Sequence, residues 1–233
     1  MAEIWEWLKH QFQITFIDGS RYKFFLTGLQ NTLIIAITAV IIGIVVGSLV
    51  AIVRVYNSQT GKFKILSKIS GVYLAIFRGT PIVVQLLIVY YIIFASVNNA
   101  LLVAIITFGF NSGAYVAEIV RAGILAVDVG QLEAGRSLGL TYNKTMRLII
   151  LPQAIKNILP ALGNEFVVLL KETSVAGYIT VMDLARAGDY IRSRTMEPYF
   201  SLIFIALLYF ILVFGVTQLI KVLERRMRQG DRS

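Results

Sequence analysis

The feature that most restricts this chain is a stretch of 28 residues, Leu26 to Val53, without a single charge. At about 1.5 Å per residue, a helix of that length overreaches the roughly 30 Å of hydrocarbon in a bilayer. A second uncharged stretch, Gly79 to Ala117, is too long for one crossing, and Asn98-Asn99 divides it. A third, Pro198 to Ile220, ends against the basic tail Lys221, Arg225, Arg226 and Arg228. In lipid each backbone N–H and C=O must find its partner within the protein, so these runs dictate helices. Composition agrees. Hydrophobic residues make up 57% of the chain and charged ones 15%, where soluble domains hold about 45–50% and about 25%. The expected class is an all-α integral membrane protein.

Five crossings follow, at about 26–53, 67–95, 100–122, 149–170 and 198–220, in one domain covering 1–233. The second reads as one helix from Ser67 to Ala95, with Arg78 and Pro81 in its first half. The fourth carries Pro152, Lys156, Pro160 and Glu165. Lipid cannot surround a helix that polar, so it sits inside a bundle or lines a cavity. Gly43 and Gly47, four residues apart in the first crossing, suit close contact with another helix, although glycine is also common in membrane helices generally.

Lys and Arg set the orientation. With the N-terminus outside, the inner segments hold 13 basic residues and the outer segments 7. The chain is therefore expected to run from an outer N-terminus to a cytoplasmic C-terminus. Residues 1–20 do not read as a signal peptide, because Glu3 and Glu6 spoil the positive start and no apolar core precedes a cleavage site. Trp5, Trp7, Leu8 and Phe12 suggest instead a short helix lying in the outer interface.

Whole classes of chemistry are excluded. With no cysteine and one histidine, there is no disulfide framework, thiolate nucleophile or zinc cluster. The net charge of +9 gathers where uncharged segments end, which is a topology signal and not a nucleic-acid surface. The stretch from Gly130 to Ser137 nearly spells a phosphate-cradling loop, but Arg136 stands where lysine is needed and no buried strand leads into it.

The loop between the third and fourth crossings, residues 128–148, is expected to carry the function. It reads as a short helix, a break at Gly139, an amphipathic piece, and then Pro152 opening the next crossing. Leu132, Leu138 and Leu140 put apolar surface on a water-facing loop, which argues for a partner. The order Glu133, Ala134, Gly139, Ile149, Leu151, Pro152 resembles the EAA motif in the membrane subunits of bacterial ABC importers. Gly135 stands where the motif's second alanine usually stands, a small residue for a small one. Arg78-Gly79-Thr80-Pro81 with Gln85, Tyr115 to Gly123, Pro152-Gln153-Ala154, Gly163 to Phe166 and Leu170 to Ser174 are similar to the polar amino acid branch of those permeases.

The resemblance covers nearly the whole chain and is weakest over the first twenty residues. It implies a five-span, type I permease core in the bacterial plasma (inner) membrane. It also implies a second permease subunit (identical or a sister chain), two ABC ATPase subunits, and an extracytoplasmic solute-binding protein. ATP and Mg belong to the ATPase subunits, and this chain is expected to bind no metal or cofactor and to be no enzyme. Glu133, Ala134, Gly135, Leu138 and Gly139 are the residues it implies for coupling to the ATPase.

An ionisable side chain inside a crossing is a functional candidate, because lipid penalises an unpaired charge. An amino acid brings an ammonium and a carboxylate. Glu165 is the expected counter-charge for the ammonium or for a basic side chain, unless it pairs with another helix for structure. Asn111, Ser112 and Tyr115 could supply neutral hydrogen bonds, or serve as interhelical glue. Arg78 and Glu118, nearer the inner face, read as a structural ion pair or a loop anchor. The function that follows is a permease subunit of an ATP-driven amino acid importer. The alternative is an ion-gradient-driven secondary transporter, a class whose folds usually repeat internally over more crossings.

Overall fold

The computed structural model describes residues 1–229, and positions 230–233 of the basic tail, Arg232 among them, lie outside the described residues. The first helix, α1 (Ala2–Phe12), runs on through one wide turn at Gln13–Ile17 and one tight turn at Asp18–Ser20. Its Trp5, Trp7, Leu8 and Phe12 are all exposed. It is followed by α2 (Tyr22–Thr60), 39 residues without a break. Gly61, left-handed at φ 70, ends α2, and its N–H bonds the Asn57 carbonyl at 2.8 Å.

Helix α5 (Ala100–Leu125) starts where the Asn99 side chain accepts the Leu102 N–H at 3.0 Å, an N-terminal cap. It lies parallel to α2. A β-carbon added at Gly43 would stand 2.7 Å from Ser112 Oγ, and one at Gly47 would stand 2.7 Å from the Gly113 carbonyl oxygen. The expected small-residue contact is therefore present, and α5 is its partner. Helix α8 (Leu151–Glu172) packs antiparallel on the same α5, with Ile158 against Gly123 and Glu165 against Ser112. Apolar residues fill the bundle in two levels. One holds Ile35, Ala39, Leu86, Phe108 and Leu169, and the other holds Ala51, Val116, Val120, Ile150 and Ile158.

The second crossing differs from the continuous helix expected over 67–95. The structure holds α3 (Lys64–Gly79) and α4 (Ile82–Ile88, with a wide turn to Ile93), bent by 109° between them. The cause is local. Pro81 has no N–H to give, and it drives Thr80 out of the helical region to φ −124, ψ 146. The carbonyls this frees are not left bare. Gln85 Nε2 donates to the Phe77 and Thr80 carbonyls at 2.9 and 3.0 Å, and Asn111 Nδ2 donates to Phe77 at 3.3 Å.

Three helices, α2, α5 and α10 (Pro198–Gln229), are each long and apolar enough to cross a membrane, and the bent α3–α4 pair makes a fourth. The fifth, α8, is long enough, but its side chains are too polar for it to stand in lipid alone. Between α8 and α10 the chain makes a tight turn at Thr173–Ile179 and a short helix, α9 (Leu184–Thr195).

Candidate translocation site and coupling loop

Glu165 is set by its place on α8. Its side chain points at α5, where Ser112 Oγ donates to Oε1 at 2.9 Å. Glu165 is 9% exposed and Ser112 is fully buried. Gly43 lies directly behind Ser112, so α2, α5 and α8 meet at this one carboxylate. Among the described residues no arginine or lysine forms an ion pair with Glu165. A buried carboxylate with one hydroxyl donor is short of compensation, which leaves it able to receive a cation.

The other two candidates go elsewhere. Asn111 is buried, and its amide is taken by the helix break, donating to Phe77 O and, at 3.0 Å, to Gln85 Oε1. Tyr115, one turn further along α5, is exposed, and Arg78 lies over its ring at 5.8 Å. Arg78 also approaches Glu118 at 3.7 Å, and Arg121 bonds the same carboxylate. The expected Arg78–Glu118 pair is thus present, with Arg121 as a third member. The structure joins Glu165 to Ser112 and keeps Asn111 and Tyr115 apart from them.

At the other end of α5 lies α6 (Val129–Ser137). Asp128 starts it, accepting the Gly130 N–H at 2.7 Å. Gly139 ends the motif at φ +80, where a side chain would be strained. The chain then re-enters the bundle through α7 (Tyr142–Thr145), one wide turn, and α8, with Pro152 in its first turn. Gly135 is buried against Thr145 and holds α6 down. Glu133, Ala134 and Leu138 face outward, Leu138 at 81% exposure. An exposed apolar tip on an otherwise polar loop is the kind of surface that a partner's groove covers.

Asp183 was not singled out in the sequence. It is fully buried between α2 and α9, and its Oδ1 accepts the Ala185 and Arg186 N–H groups at 2.7 and 3.0 Å. Burial pushes its carboxyl up to about 6, against the pull of those backbone donors. An Asp just before Leu184-Ala185 was a readable helix-start signal.

Residues 39–229 match the family described as binding-protein-dependent transport system inner membrane component. The chain belongs to that family. Curated relatives of this inner membrane component agree with it over nearly their whole lengths. A putative glutamine transport system permease protein of Rickettsia prowazekii (strain Madrid E) is 40% identical over 207 residues, 88% of this chain and 93% of that one. The arginine transport system permease protein of Bacillus subtilis (strain 168) is 36% identical over 211 residues, 89% of this chain and 94% of that one. A crystal structure of an amino acid ABC transporter with histidines superimposes with a TM-score of 0.82 at 42% identity, covering 91% of this chain and 98% of that one. As an inner membrane component the chain is multi-pass and built from apolar helices, as its sequence implied.

Proposed function

We propose that this chain is the permease subunit of an ATP-driven importer of polar amino acids, lying N-terminus outside and C-terminus in the cytoplasm. The observation that carries this is the 128–148 loop. It is a fixed helix held at the end of the bundle by Gly135, and it offers Glu133, Ala134 and Leu138 to a partner. The partner is an ABC ATPase subunit, which binds ATP and Mg while this chain binds neither. Relatives named for glutamine and arginine support an amino acid as cargo.

Helix α8 supports a second permease subunit, identical or sister. Its Gln153, Asn157 and Asn164 are exposed and recur along one face of the helix, with Pro160 between them. Lipid is a poor cover for such a face, and another polar face is a good one. The cargo then passes along this seam, with Glu165 and Ser112 behind it receiving the ammonium or a basic side chain. Tyr115 offers its exposed ring and hydroxyl one turn further in. Asn111 serves the helix break.

Two measurements test this reading. In the assembled complex, Gly139→Val or Glu133→Arg is expected to cut coupled uptake by more than about tenfold, because coupling depends on rigid-body movement of docked parts. If either variant keeps its ATPase subunit and transports at the wild-type rate, the loop is not the coupling element. For orientation, a cysteine at Asn98 is expected to react with an impermeant thiol label from outside and one at Ser137 is not. The native chain has no cysteine to give background. The reverse pattern turns the chain over.

A further inference from the structure

A cavity of about 260 Å³ lies between the far end of α2, the end of α5 and the segment that carries the chain from α7 into α8. Its walls are apolar at Ile52, Ile124 and Leu151 and polar at Tyr56, Tyr142 and Arg147. It sits where the charge-free run of α2 gives way to Arg54.

Two apolar tracks lead away from it. On α2, Ile41, Val45 and Ile52 recur at helical spacing, and each is more than half exposed. On α8, Leu151 is followed along the same face by Ile155 and Leu159, each nearly half exposed. Both tracks begin at a residue of the cavity wall, Ile52 on one helix and Leu151 on the other.

The charge at the head of the tracks is unanswered within the chain. Arg147 is exposed and forms no ion pair among the described residues, and neither does Lys144 one turn earlier. Asp128, which lines the adjoining cavity against α6, is engaged by the Gly130 N–H at 2.7 Å. Tyr56 and Tyr142 stand beside each other, with ring centres 5.8 Å apart.

Hydrocarbon tracks that end at a guanidinium and a pair of tyrosines match one build of ligand, a phosphate carried on long acyl chains. Arginine takes a phosphate through two parallel N–H bonds. Tyrosine favours the level where hydrocarbon gives way to headgroups, and basic pockets between membrane helices hold anionic headgroups. We infer that the crevice between α2 and α8 is a binding site for an anionic phospholipid, with its phosphate on Arg147 and an acyl chain along Ile52, Val45 and Ile41. Such an occupant touches both α2 and the segment that leaves the coupling loop, so it braces one against the other.

The test is native mass spectrometry of the detergent-purified chain with its co-purifying subunits, offered phosphatidylglycerol and phosphatidylcholine in equal amounts. Binding is read without transport, so its failure and that of the proposed function are separate. Wild type is expected to retain phosphatidylglycerol over phosphatidylcholine by at least about fivefold, the worth of one basic residue at a membrane surface. Arg147→Gln is expected to lose that preference. Lys68→Gln, at an exposed lysine of α3 outside the cavity, is expected to keep it. Ile52→Trp adds bulk at an exposed position of the acyl track and is expected to lower phosphatidylglycerol retention without changing the melting temperature. An equal preference in wild type and Arg147→Gln overturns the inference. So does displacement of the lipid by millimolar inorganic phosphate with no effect of Ile52→Trp, which makes the cavity a plain anion site.

Discussion

Glu165→Gln is expected to reduce amino acid uptake by more than about tenfold while the complex still assembles and hydrolyses ATP at its basal rate. The substitution keeps volume and keeps an acceptor for the Ser112 hydroxyl, so the α5–α8 contact survives. It removes only the charge. A cation entering a site shielded from water gains far more from a carboxylate than it would in bulk solvent, and losing one partner of such a pair costs about 3–5 kcal/mol. A Glu165 that merely braces two helices predicts something else, since a neutral amide braces them as well. Uptake and basal ATPase activity measured on the same proteoliposomes separate the two. Full uptake by the Gln variant removes Glu165 from the site.

Gly47→Leu is expected to lower the melting temperature of the complex by several degrees. A β-carbon there already stands 2.7 Å from the Gly113 carbonyl oxygen and 2.8 Å from the Ala117 nitrogen. Backbone cannot rotate away as a side chain can, so α2 and α5 must separate. Overpacking usually costs about 1–3 kcal/mol, and contact with main chain puts this case at the upper end. For a chain of this size each kcal/mol lowers the melting temperature by about 2–4 °C. Thermal unfolding of the purified complex reads this directly. Gly71→Leu is the control, since nothing lies within 4 Å of a β-carbon at Gly71. Equal melting temperatures for the two variants would mean that the α2–α5 contact is looser than it looks.

Sequence reasoning reached what short-range patterns encode. The charge-free runs located α2, α5 and α10, and the spacing of Gly43 and Gly47 announced a tight contact. Gly139 marked the break inside the 128–148 loop and Pro152 the start of the next crossing, because each is a local backbone constraint. What escaped depends on residues far apart in the chain. Pro81 was visible, but a helix can absorb one proline as a kink. The 109° turn is tolerated because Gln85 and Asn111 satisfy the loose carbonyls, and Asn111 arrives from another helix, 34 residues after Phe77. For the same reason Asn111 reads alone as a free amide. Glu165 and Ser112 were each legible, 53 residues apart, but their meeting was not. Asp183 was overlooked for a different reason, since a carboxylate in a polar loop looks solvated until α2 is laid against it.

One consequence of α2 has to do with mechanics. It is a single rod of 39 residues, about 58 Å long, nearly twice the thickness of the hydrocarbon it crosses. Toward its N-terminal end Thr32 is bonded to Leu184, the first residue of α9, and Asn31 to Met182 just before it. At its far end Tyr56 touches Tyr142 of the coupling segment, with ring centres 5.8 Å apart. A rod fastened at both ends carries leverage. A tilt of about 10° about its centre swings each tip by roughly 5 Å, in opposite directions. A push at the α9 end and a pull at the Tyr142 end are then strokes of one lever, and the fulcrum is the glycine contact with α5.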